Sequence, residues 1–379
     1  MVKENPLIQL EKHGQSIWLD YIRRDLIVSG ELRRLIRDDD LRGMTSNPSI
    51  FEKAIVDSKD YDADIQSMAD SGMDAKSIYE ALSQHDVKMA ADEFRPVYDN
   101  TVGNDGYVSL EVNPYLAHDT KGTIEEARRL WSALDRPNVF IKVPATIEGL
   151  PAISQLISEG INVNVTLLFG LPRYREVAQA YIDGIQTRLT NKNDVSRVAS
   201  VASFFVSRID TLVDPLITKM IEQADSGENL ARQLYGQVAI ASAKMAYQIF
   251  KEIFHNEQFK QLMEKGARRQ RVLWASTGTK NPDYSDVKYI EAIIGPDTVN
   301  TVPVETLNAY RDHGNTTNSL EHDIQLANWV LERLPELGID IDTITRQLED
   351  EGVAKFCEPF DKLMKTLAHR SHLTKTAIK

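Results

Sequence analysis

Lys142 lies in the middle of an apolar, β-branched segment at residues 138–145 (NVFIKVPA). This composition predicts a buried β-strand that Pro144 closes. An ammonium in such a strand is costly to desolvate unless a carboxylate pairs with it or it loses its proton. A neutral lysine amine is a nucleophile, and its natural partner is a carbonyl, with which it forms a Schiff base. The alternative is a lysine on an edge strand whose head reaches water.

Polar residues recur in other segments that resemble strands, although a strand buried on both faces should be almost entirely apolar. They are Asp20, Glu111, Asn164, Thr166, Ser203 and Ser276. Any one of them alone is usually a satisfied core group. Their occurrence on successive strands instead favours convergence on one cavity, where buried carboxylates and a buried lysine stabilise one another.

Two carboxylates and one lysine fit class I aldol chemistry. The lysine amine attacks a ketone, and a carboxylic acid with a hydroxyl and a water relays the protons for carbinolamine formation and dehydration. A second carboxylate takes the proton from the hydroxyl at the carbon–carbon bond that breaks. Because the iminium accepts the electrons, this chemistry requires no metal and no cofactor.

A second group of residues is a candidate for binding phosphate. Residues 274–281 (WASTGTKN) follow a predicted seventh strand, and loops after strands seven and eight of (β/α)₈ barrels often bind phosphate. Small residues let backbone amides approach an anion, and Lys280 supplies positive charge. Arg208, after the sixth strand, is a further candidate. The alternative for this pair is a solvated glycine-containing turn and an ordinary surface arginine.

The elements that must position these residues alternate between strands and helices. The predicted strands are residues 16–22, 41–48, 106–114, 138–145, 161–169, 198–206, 271–278 and 298–302. This alternation is typical of parallel βαβ units, and eight units predict an α/β fold of the (β/α)₈ TIM barrel type. We expect one domain with a helical insertion at about 57–100, a helical hairpin at about 212–265 and extra C-terminal helices at about 319–371.

Composition narrows the classes of partner. The 379-residue chain carries a net charge of −12, which argues against a nucleic-acid or anionic-membrane surface. Its single cysteine, Cys357, excludes an intrachain disulfide and fits a reducing compartment. The eight histidines show no metal-binding spacing, and no apolar run is long enough to span a bilayer. With no secretory signal evident at residues 1–6, we expect a cytoplasmic protein.

Two motifs resemble the signatures of the transaldolase family. Residues 43–51 (GMTSNPSIF) resemble its first signature, and residues 141–150 (IKVPATIEGL) resemble the second, around the Schiff-base lysine. Residues 161–169 (INVNVTLLF) are similar to the family's fifth strand. The similarity runs through residues 16–303, and the C-terminal part looks most like the longer bacterial transaldolases.

The resemblance implies transfer of a dihydroxyacetone unit from sedoheptulose 7-phosphate to glyceraldehyde 3-phosphate in the pentose phosphate pathway. The products would be erythrose 4-phosphate and fructose 6-phosphate. The phosphorylated sugars would be the only partners needed, without a cofactor. The sequence does not decide between a monomer and a homodimer.

The resemblance also implies a role for each site residue. Lys142 would form the Schiff base, Glu111 with Thr166 would hold the catalytic water, and Asp20 would be the acid–base group for cleavage. Asn47, Asn164 and Ser203 would hold the hydroxyls of the dihydroxyacetone unit, and Arg208 and Ser276 would hold the phosphate. Lys280 would take the place of an arginine found in the shorter transaldolases, in a loop that is longer here.

Two alternatives remain open at this point. A class I fructose-6-phosphate aldolase uses the same lysine but releases the dihydroxyacetone unit to water, and Glu111 favours the transaldolase over it. A non-catalytic barrel that binds sugar phosphates would be expected to lack Lys142 or the two carboxylates, and this chain has all three.

Overall fold

The computed structural model describes residues 5–223 and 227–377, and at its centre eight parallel strands close into a barrel in chain order. The strands are β1 (Gln15–Asp20), β2 (Gly43–Thr45), β3 (Tyr107–Glu111), β4 (Val139–Pro144), β5 (Val163–Leu168), β6 (Ser200–Phe205), β7 (Arg271–Ala275) and β8 (Thr298–Val302). All eight predicted strands are present, and the predicted (β/α)₈ barrel is confirmed.

Helices surround the barrel and cover one of its ends. In the described residues they are α1 (Pro6–Lys12), α2 (Arg24–Val28), α3 (Glu31–Asp38), α4 (Pro48–Val56), α5 (Asp62–Asp70), α6 (Ala75–Asn100), α7 (Thr120–Leu134), α8 (Gly149–Glu159), α9 (Leu171–Thr190), α10 (Ser207–Glu222), α11 (Glu228–Leu234), α12 (Val238–Phe254), α13 (Glu257–Met263), α14 (Lys288–Glu291), α15 (Val304–His313), α16 (Ile324–Arg333) and α17 (Ile341–Ala377). Short 3₁₀ helices lie at Pro114–Leu116 and Leu334–Leu337. None of the described helices is both long and apolar enough to cross a membrane.

Strand β4 shows how the sequence builds the barrel. All six of its residues are buried. Because side chains alternate along a strand, Val139, Ile141 and Val143 share one face, which packs against the surrounding helices α7 and α8. Lys142 belongs to the opposite set, inside the barrel. This explains why the segment is apolar at nearly every position and still contains a lysine.

The helix that follows β2 begins with a local signal in the sequence. The Asn47 side chain accepts a hydrogen bond from the Ile50 amide at 3.0 Å, and Pro48 occupies the first helical position of α4. Since Asn47 is already the cap of α4, strand β2 ends at Thr45. It is therefore shorter than the predicted strand at 41–48.

The helices differ from the sequence pattern in several places. The region predicted as a hairpin at 212–265 contains four helices, α10 to α13, and the first begins at Ser207. Helices α2 and α15 are not predicted. Helix α15 follows Pro303 and buries only Thr306, Leu307 and Tyr310, which is too few apolar positions to give a clear helical period. Helix α14, between β7 and β8, is short, at Lys288–Glu291.

Candidate active site

The register of three neighbouring strands places the central polar residues side by side. Glu111 on β3 pairs with Lys142 on β4, and Lys142 pairs with Asn164 on β5. The Lys142 Nζ atom lies 3.3 Å from Glu111 Oε2, and both side chains are 6% exposed. Nζ also donates a hydrogen bond to the Ser46 carbonyl oxygen at 2.9 Å. The lysine is thus held inside the barrel, and the alternative of a lysine whose head reaches water is wrong.

The two predicted carboxylic acids are both in an environment that favours their protonated forms. Burial raises the pKa of Glu111 to about 7, with Lys142 acting in the opposite direction. Burial also raises the pKa of Asp20, again countered chiefly by Lys142. The Thr45 hydroxyl donates to Asp20 Oδ1 at 2.7 Å and fixes its orientation. Near neutral pH the Glu111 carboxyl can therefore both take and give a proton.

A chain of hydrogen bonds crosses the barrel beside Lys142. The Ser203 hydroxyl donates to Asn164 Oδ1 at 2.7 Å, and the Asn164 Nδ2 group donates to the Ser109 hydroxyl at 3.1 Å. All three residues are buried. This chain fixes which side of the Asn164 amide faces Ser203, and it presents the Ser203 hydroxyl toward the cavity.

A cavity of about 160 Å³ opens above these residues at the carboxyl ends of the strands. The predicted site residues that line it are Asp20, Asn47, Lys142, Thr166, Ser203, Arg208, Ser276 and Lys280. Glu111 and Asn164 do not line it. Glu111 instead contacts Lys142 from behind and borders a second cavity of about 20 Å³ beside Tyr79. The structure therefore brings the predicted residues together around the lysine amine, most of them in the cavity and Glu111 and Asn164 behind it.

Two buried polar atoms in this group have spare hydrogen-bonding capacity. Thr166 Oγ1 has no hydrogen-bond partner among the described residues, and Glu111 Oε2 has only its 3.3 Å contact with Lys142. Buried polar atoms in native proteins are nearly always paired, so such atoms call for a water or a ligand. Both flank Lys142, where carbinolamine chemistry would need a water.

The other end of the cavity is positively charged. Arg208 lies in the first turn of α10, 5.5 Å from the Phe205 ring centroid, and burial lowers its pKa. Lys280 lies in the loop after β7, and Ser276, at the start of that loop, is 3.1 Å from the Ser207 hydroxyl. In the described part of the chain neither cation has a carboxylate within ion-pair distance. An anionic group could therefore bind between them.

Two residues with a strained backbone lie beside the site. Ser276 and Leu167 have φ values of +55° and +56°, in the left-handed region that side chains other than glycine rarely adopt. Leu167 follows Thr166 at an irregularity in the pairing of β5 with β6. Such positions persist where the surrounding structure requires them and are often found at functional sites.

Several cavity residues are not among the sequence candidates. Thr45 and Thr301 form a hydrogen-bonded pair at 2.7 Å that supports Asp20. The rule that singles out polar residues in strands would have found both. Phe205 and Phe356 also line the cavity. No sequence signal separates these phenylalanines from ordinary core residues, because an apolar side chain is expected on any buried face.

Comparison with known proteins identifies the family. Residues 17–367 match the family described as Transaldolase/Fructose-6-phosphate aldolase. The chain belongs to this family. The transaldolase of Trichodesmium erythraeum is 47% identical over 370 residues, which cover 97% of each chain. The transaldolase of Mycobacterium bovis is 43% identical over 383 residues, covering 100% of both. The family resemblance inferred from the motifs is thereby confirmed.

Proposed function

We propose that the chain is a transaldolase, which transfers a dihydroxyacetone unit from sedoheptulose 7-phosphate to glyceraldehyde 3-phosphate through a Schiff base. The observation that carries the proposal is the buried contact between Lys142 and Glu111 at the base of a cavity that also contains Asp20. The full-length similarity to transaldolases supports it. No step of this chemistry requires a metal or a cofactor.

In the first step the Lys142 amine attacks the C2 carbonyl of the ketose. Glu111, 3.3 Å away, takes a proton from the nitrogen and returns it to the carbinolamine hydroxyl, which leaves as water. A carboxyl group with a pKa of about 7 is suited to both transfers. Thr166, which lines the cavity together with Lys142, would hold the water that is released and later consumed.

In the second step Asp20 takes the proton from the C4 hydroxyl of the iminium. The bond between C3 and C4 breaks, its electrons move to the iminium as an enamine, and the shortened aldose leaves. The hydrogen bond from Thr45 holds the Asp20 carboxyl in the cavity. The enamine then attacks the aldehyde carbon of the acceptor, Asp20 returns its proton, and hydrolysis of the new iminium frees the product.

Two sets of residues hold the sugar during these steps. Asn47 and Ser203 line the cavity and would bind the hydroxyls of the three-carbon unit. Asn164 is expected to share this role. The hydrogen bond that the Ser203 hydroxyl donates to Asn164 connects it to the sugar-binding residues. Arg208, Ser276 and Lys280 would bind the phosphate, since charge-assisted hydrogen bonds to phosphate are the strongest contacts available there.

We place the reaction in the pentose phosphate pathway of the cytoplasm, because the substrates that fit are phosphorylated sugars and the family resemblance implies that pathway. We also treat the chain as one domain, in which α5 and α6 are the insertion and α16 and α17 are the C-terminal addition to the barrel.

A transfer assay tests the proposal. The protein is incubated with fructose 6-phosphate and erythrose 4-phosphate, and sedoheptulose 7-phosphate and glyceraldehyde 3-phosphate are measured. We expect both products in equal amounts, and none with Lys142→Ala. Release of free dihydroxyacetone at the same rate with or without acceptor would instead indicate an aldolase. No turnover of any phosphorylated ketose by a folded protein would favour a binding protein.

A further inference from the structure

Among the described side chains of α17, Phe356 alone lines the reaction cavity. Its side chain is buried, at 4% exposure, and its ring centroid lies 5.8 Å from Lys142 Nζ. The other described residues that line the cavity come from the barrel strands, the loops that follow them and the first turn of α10. A ring supplied by the C-terminal helix thus covers the nitrogen on which the Schiff base would form.

Contacts on several sides hold α17 in this position. Glu349 Oε2 lies 3.3 Å from Arg173 of α9, and Lys362 Nζ lies 2.5 Å from Glu52 of α4. The Tyr115 hydroxyl donates to Asp361 Oδ2 at 2.8 Å. These contacts lie on both sides of Phe356 along the helix. They fix the helix across the end of the barrel.

The backbone of α17 also comes close to the strained end of β5. A Cβ atom added to Gly352 would lie only 3.0 Å from Leu167 Cδ2. Leu167 follows Thr166 directly, so the helix lies against the part of the strand that faces the catalytic water position. Gly352 and Phe356 are four residues apart and share one face of the helix. That face is the surface that closes the cavity.

The proposed reaction requires an apolar surface beside the three-carbon adduct. After cleavage, the three-carbon unit remains on Lys142 and has two possible fates: its enamine adds to an aldehyde, or it takes up a proton and water hydrolyses the resulting iminium. Transfer requires the first fate, although the site must still admit a water for the hydrolysis of the finished product. Excluding bulk water from a closed site is a general means of protecting a reactive intermediate from hydrolysis.

We propose that Phe356 determines the choice between transfer and hydrolysis by keeping bulk water from the three-carbon adduct on Lys142. This inference rests on the proposed transaldolase function. A phenyl ring donates no hydrogen bond to a water, and at 5.8 Å from Lys142 Nζ it occupies space that bulk water would otherwise fill, whereas Glu111 and Thr166 reach the adduct from the barrel strands. Only the water held by those two residues then has access to the iminium carbon.

The experiment compares the wild type with Phe356→Ala and Phe356→Leu. Free dihydroxyacetone is measured from fructose 6-phosphate without acceptor, and transfer is measured with erythrose 4-phosphate. We expect the ratio of release to transfer to rise about tenfold or more in the alanine variant and by a smaller factor in the leucine variant, because closing the site excludes water. Leu363→Ala is the matched control, since Leu363 is a buried residue of α17 that does not line the cavity.

Borohydride trapping separates the failure of this inference from the failure of the proposed function. If the wild type gives no reduced adduct on Lys142, the proposed function itself is wrong. If all variants form the adduct and Phe356→Ala keeps the wild-type ratio, the role of Phe356 is overturned. An equal rise in Leu363→Ala would also overturn it, because general loosening of α17 would then explain the release.

Discussion

The barrel contains two buried polar clusters, one at each end, and they are built differently. At the end where the strands begin, Arg271 contacts Asp105 at 2.8 Å, and Ser16 and Trp18 donate hydrogen bonds to the same carboxylate at 2.8 and 3.1 Å. Arg271 also donates to the Asn104 carbonyl oxygen and to Ser16. This cluster is saturated with internal partners.

At the opposite end the cluster that we propose is catalytic has fewer partners than it can use. Thr166 Oγ1 has no hydrogen-bond partner among the described residues, Glu111 Oε2 has only its contact with Lys142, and the pKa values of Asp20 and Glu111 are raised. The difference shows how the same kinds of residue serve two purposes. A cluster with every group paired stabilises the fold, whereas one with free hydrogen-bonding capacity can bind and transform a substrate.

Lys142→Ala should show the largest effect. Removal of the nucleophile abolishes the covalent intermediate, and we expect transfer to fall by at least about four orders of magnitude. The free energy of unfolding should change little, because Glu111 can bind a proton once its partner is gone. Transfer kinetics and chemical denaturation measure the two quantities on the same sample. Global unfolding of this variant would show that the pair is needed for the fold as well.

Arg271→Met tests the other end of the barrel. It leaves Asp105 as a buried charge without its partner, so we expect a loss of about 3–5 kcal/mol in the free energy of unfolding. The transfer rate of the folded fraction should stay within about twofold of the wild type, since the cluster is remote from the cavity. If the transfer rate falls much further while the protein remains folded, the claim that the Arg271 cluster serves only stability is wrong.

Glu111→Gln should change both rate and pH dependence. Loss of the acid–base group should slow transfer by about 10²–10⁴-fold. The pKa of Glu111 is raised from 4.5 to about 7 in the folded state, so the folded protein binds more protons than the unfolded chain between these values. Its contribution to stability is therefore complete below pH 4.5 and is lost as the pH rises to about 7.

Denaturation curves across this pH range measure the Glu111 contribution. The wild type should lose on the order of 3 kcal/mol more than Glu111→Gln between pH 4.5 and 8, by the usual conversion of a pKa shift to free energy. Other groups with raised pKa values, such as Asp210, are present in both proteins, so their contributions cancel in the difference. If the free energies of unfolding of the two proteins changed in parallel with pH, the pKa of Glu111 would not be raised in the folded state.

The phosphate end of the cavity should give smaller effects. Arg208 is half-buried and Lys280 is exposed, so water screens the lysine more strongly. We expect KM for fructose 6-phosphate to rise about 10- to 100-fold in Arg208→Gln and about threefold in Lys280→Gln, with little change for the unphosphorylated sugar. Equal effects on both sugars would show that neither residue binds phosphate.

The barrel and the central residues of the candidate site could be predicted from the sequence. Eight strands with polar residues near their ends point to the barrel and to Lys142, Glu111 and Asp20, because few soluble folds place charge in buried strands. The same rule also applies to Ser16 and Arg271, which lie near the starts of β1 and β7. The two clusters differ in whether their residues lie near the start or near the end of a strand. The predicted strand boundaries were accurate enough to separate the stabilising cluster from the proposed catalytic one.

The rest of the site depends on contacts between distant parts of the chain. Phe356 is more than 200 residues from Lys142 in sequence, and an apolar residue on a helix gives no sign of what it covers. The shell behind Lys142, where Glu111 borders its own small cavity, depends on α6 and α7 as well as on β3. Such features require the packed structure, since pattern and spacing describe only one element at a time.

The most direct test of the central claim is chemical trapping of the Lys142 adduct. The protein is incubated with fructose 6-phosphate, reduced with borohydride, digested and mapped by mass spectrometry, with Lys142→Ala treated in parallel. The account predicts a reduced three-carbon adduct on Lys142 and none elsewhere. An unmodified Lys142 in folded protein at saturating substrate would contradict the Schiff-base mechanism.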